Sequence, residues 1–313
     1  MNSVWIYPWD LQDEGIANVL DRLQANNIQG LNVVVIYHSG MFFLPHNPKR
    51  KLYFPQPGAL YFPPDKWYEQ SAIKPPVSEF ASKAFWDELR EETLKRNMKL
   101  TAWSLALHNS FIGFNYPETN VVNAFGDRYP TALCPTNEAL RDFLLHVYED
   151  LAKNYGFDNI LIESLEYMPF RHGYHHEVFG VPVNPLIDFF MSLSFSPGIY
   201  KKAAEQGIDL DKVRNFVKVK CEEAFNNPFS QQPTMSWEEI RNAADGQMGA
   251  YLDLRENLLA DLMKEIKEVI SANSKAMVSA LDFGPLYGLG PSETSWQNGV
   301  NLEKHVPYLD QIH

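Results

Sequence analysis

The chain has 313 residues, 45% of them hydrophobic and 21% charged, a balance that supports a large buried core and excludes a disordered or fibrous protein. A net charge of -12 and a pI near 5.2 disfavour partners that need a positive footprint, namely a nucleic acid or an anionic membrane, and leave a small neutral or cationic ligand. The start, MNSVWIYPWD, carries no basic region followed by an apolar run, and Cys134 and Cys221 lack metal-type spacing, so the expectation is one cytoplasmic domain over residues 1–313 with reduced thiols and an open oligomeric state.

In chain order, VWIY reads as a short strand over residues 4–7, and a helix follows over about 15–26 with Ile16, Val19, Leu20 and Leu23 on one face. Gly30 opens LNVVVIYH, a continuous apolar run of the kind that strands buried on both faces show in parallel sheets, with its strand over 31–37. Residues 38–76 form a long Pro- and aromatic-rich excursion in which KLYF and ALYF flank Pro-Gly, and the pattern predicts a small hairpin between them. Because this excursion leaves a strand's carboxyl end, it is expected as an insertion over the strand C-terminal face, forming one wall of a pocket. A helix over about 78–97 leads to a third strand at 100–107, a loop through Gly126, a helix at about 136–155 and a fourth strand at 159–165. Residues 184–273 read as helical, including a capping box at Ser236 and Glu239, and a fifth strand is predicted at 276–281.

Strands alternating with helices at these lengths predict right-handed βαβ units and a parallel sheet, hence an α/β fold of the (β/α) TIM-barrel type with function at the strand carboxyl ends. A complete barrel has eight strands. Five are legible and the terminal LDQIH reads as the approach to another, so the expectation is an incomplete barrel or fragment, unless further strands lie in weakly patterned stretches.

Alternation along NILIESLEY sets Glu163 on one face near the end of the fourth strand, with Glu166 just beyond. A carboxylate in so apolar a run costs free energy unless a pocket or partner meets it. Asp10 follows the first strand, His38 the second, His108 and Asn109 the third and Asp282 the fifth. Asp10 could instead cap the next helix and Asp282 form an ion pair. Two carboxyl groups flanking a ligand supply a proton donor and a nucleophile or base, the chemistry of glycoside cleavage, and Glu163 with Asp282 or Glu166 is the candidate catalytic set.

FRHGYHHE places Arg171, His172, His175 and His176 after the fourth strand; their spacing matches no zinc signature, so hydrogen bonding to a ligand is the favoured role, and no metal or other cofactor is assigned. Among the aromatics, Trp9, Tyr37 and Trp103 are candidates for stacking on a sugar face, and the loop residues Tyr61 and Trp67 are well placed for the same task. Motifs for phosphate or dinucleotide loops, a nucleophile elbow and HExxH are absent from the sequence.

The stretch ALCPTNEALRDFLLHVYEDLAKNYGFDNILIES, residues 132–164, resembles a segment of TIM-barrel glycoside hydrolases and their uncharacterised relatives, in which a Cys-Pro-x-Asn turn starts a helix and a strand ending in an acidic residue follows. The resemblance implies a sugar-processing barrel with Glu163 as a catalytic or substrate-binding carboxylate. Where such families commonly place Asn before this Glu, the chain has Ile162. A carbohydrate-active hydrolase is therefore the leading expectation, with a metal-dependent sugar isomerase or epimerase and a non-catalytic carbohydrate-binding barrel as the alternatives.

Overall fold

A computed structural model describes residues 1–172, 176–230, 234–281 and 297–313. Strand β1 (Ser3–Ile6) runs into Pro8, whose fixed φ and missing N–H suit a first helical turn, and α1 (Pro8–Glu14) starts there. Gly15, at φ 86°, breaks the helix before α2 (Ile16–Ala25), which buries Ile16, Val19 and Leu20. Every residue of β2 (Gly30–Ile36) is buried, as its unbroken apolar run requires.

The excursion after β2 differs from its predicted form. Leu52 and Tyr53 of KLYF form β4 (Leu52–Tyr53), which pairs antiparallel with β3 (Phe42–Phe43) and not with ALYF. ALYF instead lies along the end of β2, where Leu60 bridges Ile36 and the Tyr61 amide donates to the Val35 carbonyl at 2.8 Å. Backbone pairing to a preformed buried strand outweighs the local turn signal of Pro-Gly. The short α3 (Trp67–Gln70) then crosses to the flank of the fold.

Helix α4 (Lys83–Lys95) is shorter than the predicted 78–97 because Ser82 caps it, accepting from the Phe85 amide. It leads to β5 (Lys99–Leu105). The stretch read as a loop through Gly126 is ordered into α5 (Ser110–Asn115) and an antiparallel pair, β6 (Asn120–Val122) and β7 (Arg128–Leu133). Asn137 caps α6 (Glu138–Asn154), and β8 (Asn159–Glu163) follows. The predicted helical region holds α7 (Pro185–Met191), α8 (Pro197–Glu205), α9 (Leu210–Asn226), α10 (Trp237–Asn242) with its capping box at Ser236 and Glu239, and the long α11 (Gln247–Asn273). After β9 (Met277–Ala280), α12 (Leu302–His305) leads to β10 (Gln311–Ile312), the strand foreshadowed by LDQIH.

The main sheet has the order β1-β2-β5-β8-β9-β10, and every neighbouring pair is parallel. This six-stranded sheet is an incomplete barrel whose outer edges, at β1 and β10, have no ladder partner among the described residues. The helix-facing side carries Leu31, Val33, Leu100, Ala102, Ile160, Ile162 and Val278 in the larger core. The opposite, concave side carries Val34, Trp103, Leu105 and Leu161 in a separate cluster with Trp9, Tyr61 and Phe80. Among the described residues no helix is long and apolar enough to cross a membrane.

Candidate functional site

Register determines what meets Glu163. Leu105 of β5 pairs with Glu163 of β8, and Trp103 pairs with Leu161, so Glu163 shares the concave side with Trp103. The Trp103 indole Nε1–H donates to Glu163 Oε2. Four rings line this part of the concave side: Trp5 and Trp103 meet edge to face at 4.6 Å, Tyr7 lies 5.6 Å from Trp103, and Tyr37 lies 5.3 Å from it. The Tyr7 hydroxyl donates to the Tyr37 hydroxyl at 3.3 Å. Trp5 keeps 39% of its surface exposed, so the ring group is open to solvent at that side.

Burial raises the Glu163 carboxyl above the ordinary carboxylate range, and the Trp103 N–H opposes this without cancelling it. Burial likewise raises both phenols, and each of them feels the negative charge of Glu163. Asp10 stands in the first turn of α1, hydrogen-bonded to the Tyr7 backbone, and burial among Glu14 and Asp13 pushes it up to about 6. Tyr7 feels both Asp10 and Glu163. Two carboxyl groups that hold their protons unusually long thus act on one phenol, an arrangement able to donate a proton to a ligand oxygen.

Glu166 is not part of this group. Ser164 adopts φ 58° at the end of β8, and the chain turns Leu165 and Glu166 to the helix-facing side, where both line a small cavity with Ile162, Met263 and His305. Glu166 Oε2 accepts from Asn298 Nδ2 at 3.4 Å. Asp282 lies outside the described residues, as does His175.

Three of the expected histidines do converge. His38 stacks on Tyr37 at 4.2 Å, its ring lies 5.0 Å from that of His108, and His108 meets His172 at 4.5 Å edge to face. His108 Nδ1 donates to the Thr131 carbonyl at 2.9 Å, which leaves its Nε2 as an acceptor in the neutral ring. His172 Nε2, 3.3 Å away, then carries the hydrogen of that contact. Burial lowers all three: His108 to about 3, with His172 and His38 adding to the effect, His172 to about 4, and His38 in the same direction. Among the described residues no three His, Cys, Asp or Glu side chains are grouped to hold a metal ion.

Other candidates have structural positions. Asn109 caps α5, accepting from the Ile112 amide at 3.0 Å, and its Nδ2 reaches the Gly58 carbonyl at 3.4 Å. Arg171 ties the loop after β8 together: its amide donates to Asp188 Oδ1 at 3.0 Å and its Nη1 to the Val183 carbonyl at 3.1 Å. His176 is exposed on the same loop. Trp9, expected to stack on a ligand, is fully buried beneath Tyr7, parallel to it at 4.5 Å. Tyr61 is fully buried against Trp9, and Trp67 packs on α6, donating to Asp150 Oδ2 at 2.7 Å. These three rings support the site from behind or stand apart from it. Tyr7 looks in sequence like the last residue of an apolar strand; Pro8, which starts the next helix, is the signal that the strand stops before it.

Neither a family model nor a curated protein matches this sequence. Solved structures do resemble it. The β-galactosidase of the psychrophilic Marinomonas ef1 is 12% identical over 100% of this chain, with a TM-score of 0.56. The PgaB (BpsB) glycoside hydrolase domain of Bordetella bronchiseptica is 16% identical over 99% of it at 0.55, and the catalytic domain of a Paenibacillus polymyxa β-amylase 10% identical over 100% at 0.55. The chain spans 40% of the β-galactosidase, 72% of the PgaB domain and 75% of the β-amylase domain. At these identities the likeness is one of fold: the open parallel sheet and its helices are built like the barrels of glycoside hydrolases.

Proposed function

We propose that this protein binds a carbohydrate on the concave side of its sheet and cleaves a glycosidic bond, with Glu163 as the proton donor. The observation that carries this reading is the setting of Glu163: a strand-end carboxyl facing away from the helices, held by one indole N–H among four aromatic rings, whose proton affinity burial raises and the Trp103 N–H opposes. Rings of this kind present flat apolar faces to the C–H faces of a sugar, and a carboxyl kept protonated can give its proton to the leaving oxygen. Asp282, which follows β9 in the sequence next to β8 in the sheet, is the proposed second carboxylate. Asp10, Tyr37, His38, His108 and His172 are proposed to bind the ligand around it.

The test is hydrolysis of a panel of chromogenic glycosides and polysaccharides by the wild type and by Glu163→Gln, Asp282→Asn and Asp10→Asn, with ligand affinity measured in parallel. Glu163→Gln is expected to keep affinity and lose turnover. Equal hydrolysis by wild type and Glu163→Gln sinks the assignment, whereas binding without hydrolysis by either protein favours a carbohydrate-binding role for the same surface.

A further inference from the structure

Beside the histidine group lies a second hollow, of about 550 Å³, between the β6–β7 pair and the loop after β8. Its walls are mostly carbon: Phe114 from α5, Tyr129 from β7, and Met168, Phe170 and Phe179 from the loop. Phe114 is 59% exposed and Phe179 46% exposed, so both rings show a large part of their surface to solvent. Such exposure costs solvation free energy that a ligand can recover.

The walls are fixed rather than loose. The Tyr129 hydroxyl donates to the Met191 carbonyl at 2.8 Å and accepts from Asn123 Nδ2 at 3.0 Å. The Phe170 amide donates to Ser192 Oγ at 2.7 Å, which anchors the loop to the end of α7. Phe170 meets Phe179 nearly perpendicular, at 82° and 5.7 Å, and Tyr129 lies 6.1 Å from Phe170. Rings set at an angle around an open space offer both an edge and a face, the two contacts that a planar aromatic guest prefers.

The hollow also adjoins the proposed catalytic surface. His172 lines it and touches His108, whose Nδ1 is held by the carbonyl of Thr131, another lining residue. From His108 the rings of His38, Tyr37 and Trp103 follow in succession to Glu163, each step between ring centroids being 4.2 to 5.3 Å. The hollow and Glu163 are therefore joined by one continuous surface of rings.

Resting on the reading of Glu163 given above, we propose that this hollow is a subsite for an aromatic group that the ligand carries apart from the bond cleaved at Glu163. His172, which belongs to its lining, stays uncharged at neutral pH because burial lowers it, and this suits a neutral guest. The volume is in the range of small-molecule sites.

The probe is 4-nitrophenol, titrated calorimetrically into the full chain, with cyclohexanol as an apolar control that lacks a π face. Expected are saturable binding of 4-nitrophenol by wild type and Glu163→Gln alike, at least several-fold weaker binding of cyclohexanol, and a loss of about tenfold in affinity for Phe170→Ala. Because Phe170 sits where the loop is anchored to Ser192, Phe179→Ala, which removes a half-exposed ring, is measured beside it and should lose several-fold. Absence of saturable 4-nitrophenol binding, equal affinity for cyclohexanol, or affinity unchanged in Phe179→Ala overturns the subsite. The two readings fail separately: hydrolysis of 4-nitrophenyl glycosides insensitive to Glu163→Gln removes the catalytic role of Glu163, while 4-nitrophenol affinity that depends on Phe179 still establishes the hollow as an aryl site.

Discussion

Glu163 and Glu166 stand on either side of the same strand end and meet opposite surroundings. Glu163 faces the concave side among Trp5, Tyr7, Tyr37 and Trp103, next to surface that water and ligands reach. Glu166 is sealed on the helix-facing side with Ile162, Met263 and His305, and its relative exposure is 7%. Strand alternation alone would return Leu165 to the concave side and leave Glu166 on the helix-facing side; with Ser164 left-handed, Leu165 joins Glu166 against the helices. Two acidic residues close in sequence therefore meet different fates: one faces the proposed site and one belongs to the core.

The sharpest way to break this contrast is to neutralise each carboxylate in turn. Glu163→Gln should lower kcat/KM for a glycoside by about 10²–10⁴, the usual worth of a positioned acid, with a circular-dichroism melt close to wild type. Glu166→Gln should do the reverse, leaving turnover per folded molecule intact and costing about 1–3 kcal/mol in urea unfolding, because a buried hydrogen-bonding group is disturbed. Equal losses of turnover in the two variants would falsify the division. Next in size is the support of the concave side. Gly58 sits at φ 68°, and a Cβ there would lie 2.1 Å from Asn109 Oδ1. Gly58→Ala should cost about 2–4 kcal/mol by combining left-handed strain with the clash, read as a lower urea midpoint.

Acid probes the histidine group on the concave side. His108 and His172 titrate near 6.5 in an unfolded chain, but at about 3 and about 4 when folded, so below pH 6.5 the unfolded chain takes up protons first. Their contribution to stability is complete above pH 6.5 and is lost as the pH falls toward 4. The change in unfolding free energy between pH 6.5 and 4.5 should differ between wild type and His172→Asn by on the order of 2 kcal/mol, the share of one such histidine. Asp10 and Asp188, both pushed up to about 6 by burial, work the other way: their contribution is complete below about pH 3.9 and is lost as the pH rises through 6. An identical pH dependence in His172→Asn would show that this contact is not what acid attacks. The smallest effect concerns Trp103, whose N–H lowers the proton affinity of Glu163. In Trp103→Phe that affinity rises, and with the protonated acid as the proposed working form, the alkaline limb of the pH–rate profile should move to higher pH.

The sheet was largely legible because unbroken apolar runs such as that of β2 are hard to place anywhere but a buried parallel strand, and alternation within NILIE put Glu163 on a definite face. What stayed hidden depends on contacts far along the chain. Strands of two or three residues, such as β3, β4 and β6, have no periodicity of their own and exist because their neighbours pack beneath them. Composition likewise cannot tell a ring on top of a site from one underneath: Trp9 and Tyr37 look alike in sequence, yet Trp9 is fully buried under Tyr7 and Tyr37 lines the surface. The helix-facing position of Leu165 is hidden for a similar reason, since the turn at Ser164 involves a residue type that carries no strong turn signal.

The order of strands across the sheet is the order in which they occur along the chain, β1-β2-β5-β8-β9-β10. Each strand after the first therefore finds a neighbour already made when it leaves the ribosome, and the sheet can extend by one strand at a time without waiting for distant sequence. Tyr7, Tyr37 and Trp103 all precede Glu163 in the chain. During synthesis the aromatic wall emerges first and the acid arrives last, so a buried carboxyl never has to await its indole donor.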